Sequence, residues 1–472
     1  MAALRTTHSF CLKPVFLLVL LSVCLVALSA CMRATPPPDP TATPTPLPTN
    51  TLQPTILLEN GTEIMVGQPA NPTATPNYEN PNPVQISELQ FFQRDYQVQV
   101  IAKLQNSLKD MLLRDISYEI ILLDGDGNRL TNTYGAVKYL FPRETVGVVV
   151  TVELPPGSTA TNLQLQITGG KQEQGQKYTQ PLSITGSTAN TTPSGQIATA
   201  WLENKDASTY TQVSLNAIAY DNKGEIICGG SKAQEFIPSK DKIGVSVKLS
   251  DCPEPPAIVD FYAYLTPQSA ALADGAWQKD IEHSQWNFIV NDQNQMTGVV
   301  ELKNLTNRTL TKNYFILTAA DANGKVCLAE NKFLDALWPS EQTVFALGIF
   351  DLPINCEPET ASLKVIPGEF GLNPLAYNPL VASNTSLVVA EEHVYVKVRV
   401  VNNLNTTIPN ALVSVLMKDT SGKIVGAGTL VTESIPASGV LEVEVPIIFA
   451  GEINTLKPSA SVTIPDGAIT GK

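Results

Sequence analysis

Cysteine is the residue in this sequence whose chemistry is easiest to anticipate. Seven cysteines occur in 472 residues, and the four beyond the N-terminal segment are Cys228, Cys252, Cys327 and Cys356. Each pair places one cysteine after a glycine turn and one after a proline turn. We therefore predict disulfides Cys228–Cys252 and Cys327–Cys356, whose loops of about 25 to 30 residues would each contribute roughly 3 to 4 kcal/mol. A four-cysteine metal site is the alternative, which the lack of any Cys-x-x-Cys spacing disfavours.

Acidic residues alternate with glycine from Asp124 to Asn128, a pattern that could wrap a calcium ion. An EF-hand loop would need glycine at its sixth position and glutamate at its twelfth, where this sequence has Arg129 and Gly135. Another copy of the pattern carries Lys223, which would repel a cation. We therefore predict turns rather than metal sites, and no metal or cofactor.

The residue types that perform acid–base or nucleophilic catalysis are sparse. His283 and His393 lie far apart in the sequence, with no adjacent serine or cysteine motif. Glu391 and Glu392 are neighbours on a predicted strand, so their side chains point to opposite faces. The expectation is that the protein is not an enzyme.

Tryptophan offers large flat faces that could bind polysaccharide or protein. Trp277 lies in a predicted connection and Trp338 directly precedes Pro339. The interpretation we favour for both is packing, either in a core or between modules.

The N-terminus has the pattern of an export signal. Arg5 and Lys13 precede an apolar run from Pro14 to Leu28, too short to span a membrane comfortably. The run ends in Leu28-Ser29-Ala30-Cys31, which resembles the lipobox of bacterial lipoproteins. That resemblance implies a signal peptide over 1–30 and lipidation of Cys31. An ordinary secretory signal and an uncleaved anchor are the alternatives.

Residues 31–85 are rich in proline and threonine and cannot build a core. They are expected to form an extended spacer, which at about 3.1 Å per residue reaches on the order of 100 Å or more. Within it, two short apolar runs flank Asn60-Gly61, a pair typical of two-residue hairpin turns. We predict a hairpin over 55–67 that docks on the first folded module, with a recognition element or disorder as alternatives.

Beyond residue 85 the sequence repeats with a period of about 98 residues. A strand-end asparagine, an Asp-x-x-Gly turn and a turn proline recur in order four times. The asparagines are Asn106, Asn204, Asn304 and Asn402; the aspartates are Asp124, Asp221, Asp321 and Asp419; the prolines are Pro142, Pro238, Pro339 and Pro436.

Apolar residues alternate with polar ones between these landmarks, as in Val394 to Val400, which indicates half-buried strands. The predicted fold class is all-β, with four tandem immunoglobulin-like β-sandwich modules after the signal peptide and the spacer. The predicted modules are residues 86–178, 179–267, 268–366 and 367–472.

The repeats resemble FxLYD-type β-sandwich domains of exported prokaryotic proteins, over residues 86–472. The naming motif corresponds to Ala217-Ile218-Ala219-Tyr220-Asp221 and to Ile120-Ile121-Leu122-Leu123-Asp124, and the aspartate is kept in all four repeats. The resemblance implies a sandwich fold and no enzymatic activity.

These observations predict a membrane-anchored lipoprotein that binds or supports other molecules without catalysis. It would face the cell exterior, or the periplasm in an organism with two membranes, and its partner would be a protein or polysaccharide. The net charge of −13 disfavours nucleic acid. The alternatives are a ligand-capturing lipoprotein of a transporter, for which no two-lobed α/β pattern exists, and an accessory to cell-wall or glycan hydrolysis.

Overall fold

The computed structural model describes residues 55–58, 63–65, 83–174, 179–273, 280–371, 377–390, 394–450 and 457–464. All regular secondary structure in these ranges consists of β-strands, so the predicted all-β fold class is confirmed. In this part of the chain no helix has the length and apolar content needed to cross a membrane. The predicted signal segment and Cys31 lie outside the described residues.

Two short strands precede the first sandwich, and six longer strands form it. The two short strands are β1 (Thr55–Leu58) and β2 (Glu63–Met65). The six strands of module 1 are β3 (Val84–Arg94), β4 (Gln97–Asn106), β5 (Leu112–Leu123), β6 (Arg129–Leu140), β7 (Thr145–Glu153) and β8 (Asn162–Glu173).

The same succession follows three more times in the described residues. Module 2 contains β9 (Leu182–Thr192), β10 (Gly195–Asn204), β11 (Ser208–Tyr220), β12 (Ile226–Ile237), β13 (Asp241–Lys248) and β14 (Ile258–Ala273). Module 3 contains β15 (Ile281–Val290), β16 (Gln295–Asn304), β17 (Leu310–Ala320), β18 (Val326–Leu337), β19 (Gln342–Asp351), β20 (Thr360–Ile366) and β21 (Glu369–Phe370). Module 4 contains β22 (Leu380–Val389), β23 (Val394–Asn402), β24 (Leu412–Lys418), β25 (Ile424–Val431), β26 (Val440–Pro446), β27 (Ile448–Phe449) and β28 (Lys457–Thr463).

The modules share the same strand connectivity. Its first, second and fifth long strands form one antiparallel sheet, as in the order β3-β4-β7, and its third, fourth and sixth form the other, as in β8-β5-β6. The chain changes sheet after the second, fourth and fifth strands, which is the immunoglobulin-like arrangement. The prediction of tandem β-sandwich modules is therefore confirmed.

The strand ends differ from the predicted boundaries at three places. Strand β3 begins at Val84, before the predicted start of the first module at residue 86. The two other differences lie at the ends of the second and third modules. Strand β14 pairs with β11 as far as Ala273, beyond the predicted end of the second module at residue 267. Strand β21 pairs with β17, so residues 369–370 belong to the third sandwich rather than the fourth. In both cases an irregular pairing follows the expected end of the strand, and a period of two in the sequence does not reveal it.

The two short strands are part of module 1. Strand β1 pairs antiparallel with β2, and its other edge pairs in parallel with β8, from Ile56 opposite Leu163 to Leu58 opposite Leu165. The second sheet of module 1 therefore has five strands, in the order β2-β1-β8-β5-β6.

The cores lie between the two sheets of each module, and further apolar clusters lie between modules. One such cluster joins module 1 to module 2 through Ile101, Val149 and Ile218. Another joins module 3 to module 4 through Val299, Ala346 and Leu416. The described modules are thus stacked on one another, so some strands are covered on both faces.

Candidate binding site at the module junctions

The Asp-x-x-Gly motifs form turns. One carboxylate oxygen of Asp124 accepts hydrogen bonds from the backbone amides of Asp126 (2.9 Å) and Asn128 (2.8 Å), and the Gly127 amide donates to the Asp124 carbonyl (3.1 Å). The hydrogen bond from the Asn128 amide is the main reason why the pKa of Asp124 lies below its usual value. Asp221 and Asp419 have the same contacts and the same direction of pKa shift.

These carboxylates are therefore used in closing the hairpins. Among the described residues, no group of three or more His, Cys, Asp or Glu side chains is arranged to hold a metal ion.

The repeated asparagines are buried and connect the two sheets of a module through side-chain hydrogen bonds. The side-chain amide of Asn304 donates to the carbonyls of Arg308 (2.8 Å), Leu337 (2.9 Å) and Trp338 (2.9 Å), and its oxygen accepts from the amide of Thr306 (2.9 Å). One side chain thereby joins the end of a strand to the proline turn of the other sheet. Asn106, Asn204 and Asn402 make the equivalent bonds. The repeat pattern marks these asparagines in the sequence but does not reveal this role.

The structure contains both predicted disulfides. Cys228 is bonded to Cys252 and Cys327 to Cys356, with Cα atoms 5.2 and 5.5 Å apart. Each bridge joins a strand of the second sheet to the segment that follows the fifth strand of the first sheet. The disulfides therefore tie the two sheets of modules 2 and 3 together.

Of the predicted histidine and tryptophan positions, the structure describes His283 and Trp338. His283 is an exposed residue of β15, while His393 and Trp277 lie outside the described residues. Trp338 is 1% exposed and packs with Ala336 in the core cluster of module 4. The packing interpretation is confirmed for Trp338, which inserts from module 3 into its neighbour.

The junctions share one hydrogen bond, from an edge-strand amide of one module to a side-chain oxygen of the next. The three pairs are Val149 N to Asn216 Oδ1 (3.1 Å), Gly244 N to Thr318 Oγ1 (2.9 Å) and Ala346 N to Ser414 Oγ (3.2 Å). The edge strands β7, β13 and β19 are therefore each partly covered by the following module, which occupies a backbone amide of the free edge.

A cation lies inside the junction between modules 1 and 2. The Lys103 ammonium, with 13% of its side chain exposed, lies 2.9 Å from Glu88 and 3.0 Å from Asp260. The Tyr220 hydroxyl donates to Glu88 (2.8 Å) and the Tyr262 hydroxyl to Asp260 (3.2 Å). Burial alone would lower the pKa of Lys103, but hydrogen bonds with Tyr220 and Glu88 outweigh burial and raise it. This ionic group therefore holds two modules in register.

A buried carboxylate marks the side of the same junction. Glu144 accepts a hydrogen bond from the backbone amide of Phe141 (2.7 Å) and another from the side chain of Gln180, which leads into module 2. Burial raises the pKa of Glu144 to about 7. Phe141 and Gln180 also line a hollow of about 420 Å³ between the two modules.

A second cleft between modules 1 and 2 has a volume of about 810 Å³. Its floor is the outer face of β11, β12 and β14, including Gln212, Ser214 and Ser231. Its opposite wall comes from module 1 and includes Tyr134 and Ala136. The volume lies within the range of about 300–1,000 Å³ that is typical of ligand sites.

Two buried tyrosines close the inner end of this cleft. Tyr118 of module 1 and Tyr264 of module 2 belong to one buried cluster, and burial is the main cause that raises the pKa of both. Gly135 lies beside Tyr118, and a side chain there would collide with the Tyr118 hydroxyl. The cleft is thus preformed by contacts that span two modules.

No protein-family model matches the sequence, and no curated protein is significantly similar to it. Among solved structures, a mutant Salmonella alpha-2-macroglobulin is 11% identical, over 86% of this chain and 31% of that one, with a TM-score of 0.13. Native Escherichia coli alpha-2-macroglobulin is 10% identical, over 86% and 31%, with a TM-score of 0.13. Latent PorU from Porphyromonas gingivalis is 9% identical, over 85% and 35%, with a TM-score of 0.11.

The chain thus spans about a third of the length of the structures it matches. Similarity at this level defines no family and carries no function. The strand topology and the turns of the molecule itself define its class. It is a tandem immunoglobulin-like β-sandwich protein.

Proposed function

We propose that this protein is an exported, lipid-anchored binding protein without enzymatic activity, whose stacked modules present a preformed surface to a partner outside the membrane. The observation that carries the proposal is the series of packed junctions. Because consecutive modules share apolar clusters and hydrogen bonds, a surface built from two of them keeps its geometry.

Export is supported by two independent features. The disulfides in modules 2 and 3 require an oxidising compartment to persist. The segment that ends in Leu28-Ser29-Ala30-Cys31 has the features of a lipoprotein signal, and the proline-rich residues after it suit a spacer. Cys31 would then carry the lipid.

The finer family assignment is to FxLYD-type domains. It is supported by the placement of Ala217-Ile218-Ala219-Tyr220 at the end of β11, directly before the aspartate that closes the turn. The other repeats keep that aspartate with a different strand sequence.

A binding role fits the use of the titratable groups. Lys103 is used in a junction, Glu144 in a proline turn and Asp124 in a hairpin turn. The groups with shifted pKa values that are described above thus serve packing or turns, whereas the cleft between modules 1 and 2 is ready for a ligand.

The anchor is tested by metabolic labelling with a fatty acid in a bacterial host that lipidates exported proteins. We expect labelled wild-type protein and no label on Cys31→Ala, because the thiol is the acceptor. Cys24→Ala, a cysteine in the same N-terminal segment, is the matched control and should keep the label. Label that persists on Cys31→Ala would contradict the assignment.

The binding role is tested by cross-linking on intact cells. Wild-type protein should capture a component outside the membrane, and release of modules 3 and 4 by proteolysis should leave capture by modules 1 and 2 intact. Turnover of glycans, peptides or esters that depends on one carboxylate would instead show an enzyme.

A further inference from the structure

We propose that the cleft between modules 1 and 2 binds an uncharged polysaccharide. The inference rests on the proposed binding function and names its ligand class. The described lining residues of the cleft supply an exposed aromatic ring and free hydroxyl and amide groups, and among them no charged side chain is directed toward a ligand.

The aromatic ring belongs to Tyr134, which is 69% exposed at the mouth of the cleft. A sugar ring has one apolar face, formed by its C–H groups, and such a face packs on a flat aromatic side chain. The Tyr134 ring has no core to pack into, since its neighbour on β5 across the pair is Glu119, on the outer face.

The polar groups needed for sugar hydroxyls are also present and unused. The exposed side chains of Ser231, Gln268 and Tyr134 make no hydrogen bond with any part of the chain that the structure describes. Gln212 and Ser214 on the floor are held by Glu235 and Asn216, respectively. The cleft therefore has polar groups held in place on its floor and unpaired polar groups that can bind a ligand. A few well-placed polar groups of this kind set a ligand's orientation.

The charge distribution favours a neutral ligand over an acidic one. Lys232 is the one charged residue among those lining the cleft in the described part of the chain. Lys232 lies opposite the core residue Leu215 and next to Ser231 along β12, so its side chain points to the face of β12 that is opposite the cleft. There it interacts electrostatically with Glu330 and Lys332. The net charge of −13 would repel an acidic polymer.

A peptide is the competing occupant, and the floor argues against it. A peptide that adds to a sheet needs an edge with free backbone groups. The centre of the floor is β11, which is paired with β12 on one side and β14 on the other. The walls are different, because the lining strands β6, β7 and β12 are sheet edges. Binding of a peptide is therefore an outcome that the test below must separate from binding of a sugar.

The test is calorimetric titration of the full-length protein, in mild detergent, with hexasaccharides of glucose, xylose, mannose and N-acetylglucosamine. A Ser/Thr/Val-rich decapeptide forms the peptide arm. We expect at least one sugar to bind with a Kd below about 1 mM, and Tyr134→Ala to weaken it about ten-fold. Ser231→Trp should abolish binding by filling the cleft while leaving the Tyr134 ring in place.

Tyr96→Ala is the matched control, because Tyr96 is also an exposed tyrosine of module 1 but does not line the cleft. It should change the Kd by less than about two-fold. The proposal is overturned if no sugar binds, if Tyr134→Ala binds as well as wild type, or if only the peptide binds. Because detergent replaces the membrane, a failed fatty-acid label would remove the anchor and leave this result unaffected.

Discussion

Ile121 and Ile218 stand three residues before the turn aspartate of the first and second repeats. Ile121 lies on the outer face of β5 between Asn132 and Gln164, and it is only half-buried. Ile218 lies on the outer face of β11 and is fully buried against Ile101 and Val149 of module 1. The same residue at the same repeat position is a surface side chain where the sheet face is open and a core side chain where another module covers that face.

Whole strands follow this difference. In β5 buried and half-buried residues alternate from Ile116 to Leu123, whereas β11 is buried without interruption from Leu215 to Tyr220. The corresponding strands β17 and β24 are also continuously buried along most of their length. Strands covered on both faces lose the alternation that marks a half-exposed sheet.

The opposite open face is in module 4. Its strand β23 alternates strictly, and Lys397 and Glu444 form a 3.4 Å ion pair at a position where modules 1 and 3 place Ile101 and Val299 in a junction cluster. Among the described residues, no other module packs on this sheet of module 4. A charged pair stands there in place of the apolar residues that form the centre of a junction in modules 1 and 3.

Of the substitutions that test the difference between covered and open sheet faces, Trp338→Ala is expected to change the free energy of unfolding most. Removal of a buried indole from the joint between modules 3 and 4 should lower the free energy of unfolding of module 4 by about 3–5 kcal/mol. Urea unfolding followed by circular dichroism should then show a separate, earlier transition.

Two variants define that result. Trp338→Phe should cost much less, because it keeps the ring and removes an indole N–H that has no hydrogen-bond partner among the described residues. Tyr96→Ala, which truncates an exposed aromatic residue, should stay within about 0.5 kcal/mol of wild type. A single unshifted transition for Trp338→Ala would mean that the joint does not couple the modules.

The second prediction uses the paired isoleucines directly. Ile218→Ala should lower the free energy of unfolding by about 2–4 kcal/mol, because it opens a cavity in the junction. Ile121→Ala, the matched substitution on the open face, should cost less than about 1 kcal/mol. Equal losses in urea titrations would show that module 2 is not covered by module 1 in solution.

The smallest expected effect compares two glutamates. Burial raises the pKa of Glu144 to about 7 from an ordinary value of 4.5, so the folded protein holds a proton there that the unfolded chain releases. This contribution to stability is complete below pH 4.5 and is lost as the pH rises through about 7. We expect the free energy of unfolding to fall by about 2 kcal/mol between pH 5 and pH 8 from this group.

Glu144→Gln should flatten that dependence, since an amide cannot lose the proton. Glu153→Gln, at an exposed position of β7, is the control and should keep the slope of the wild type. Thermal unfolding at both pH values measures the difference, and an unchanged slope in Glu144→Gln would place the titration elsewhere.

The fold of single modules could be predicted because its determinants are local. Asp124 and Gly127 close a turn through bonds within five residues, and a cysteine pair at equivalent places in the repeat, Cys228–Cys252, recurs in the next module. Such signals survive in one sequence without knowledge of the tertiary structure.

Apart from the packing of Trp338, the contacts at the junctions were not predicted, although the sequence carries a trace of them. Phe315 to Ala320 is a nearly unbroken apolar run in a region where a half-buried strand would alternate, which indicates burial on both faces. What covers the second face depends on contacts far apart in the chain, such as Thr318 with Gly244. The cleft was equally out of reach, because Tyr134 and Ser231 meet only after two modules have packed.

The covered edge strands also matter during synthesis. A nascent chain emerges N-terminus first, so β7 is made before the module that shields it, and β13 and β19 wait in the same way. During that interval each presents an unpaired edge that another chain could join. Strand β26, the corresponding edge in module 4, carries Glu442, Glu444 and Pro446, and charged residues and proline on an edge strand discourage such pairing.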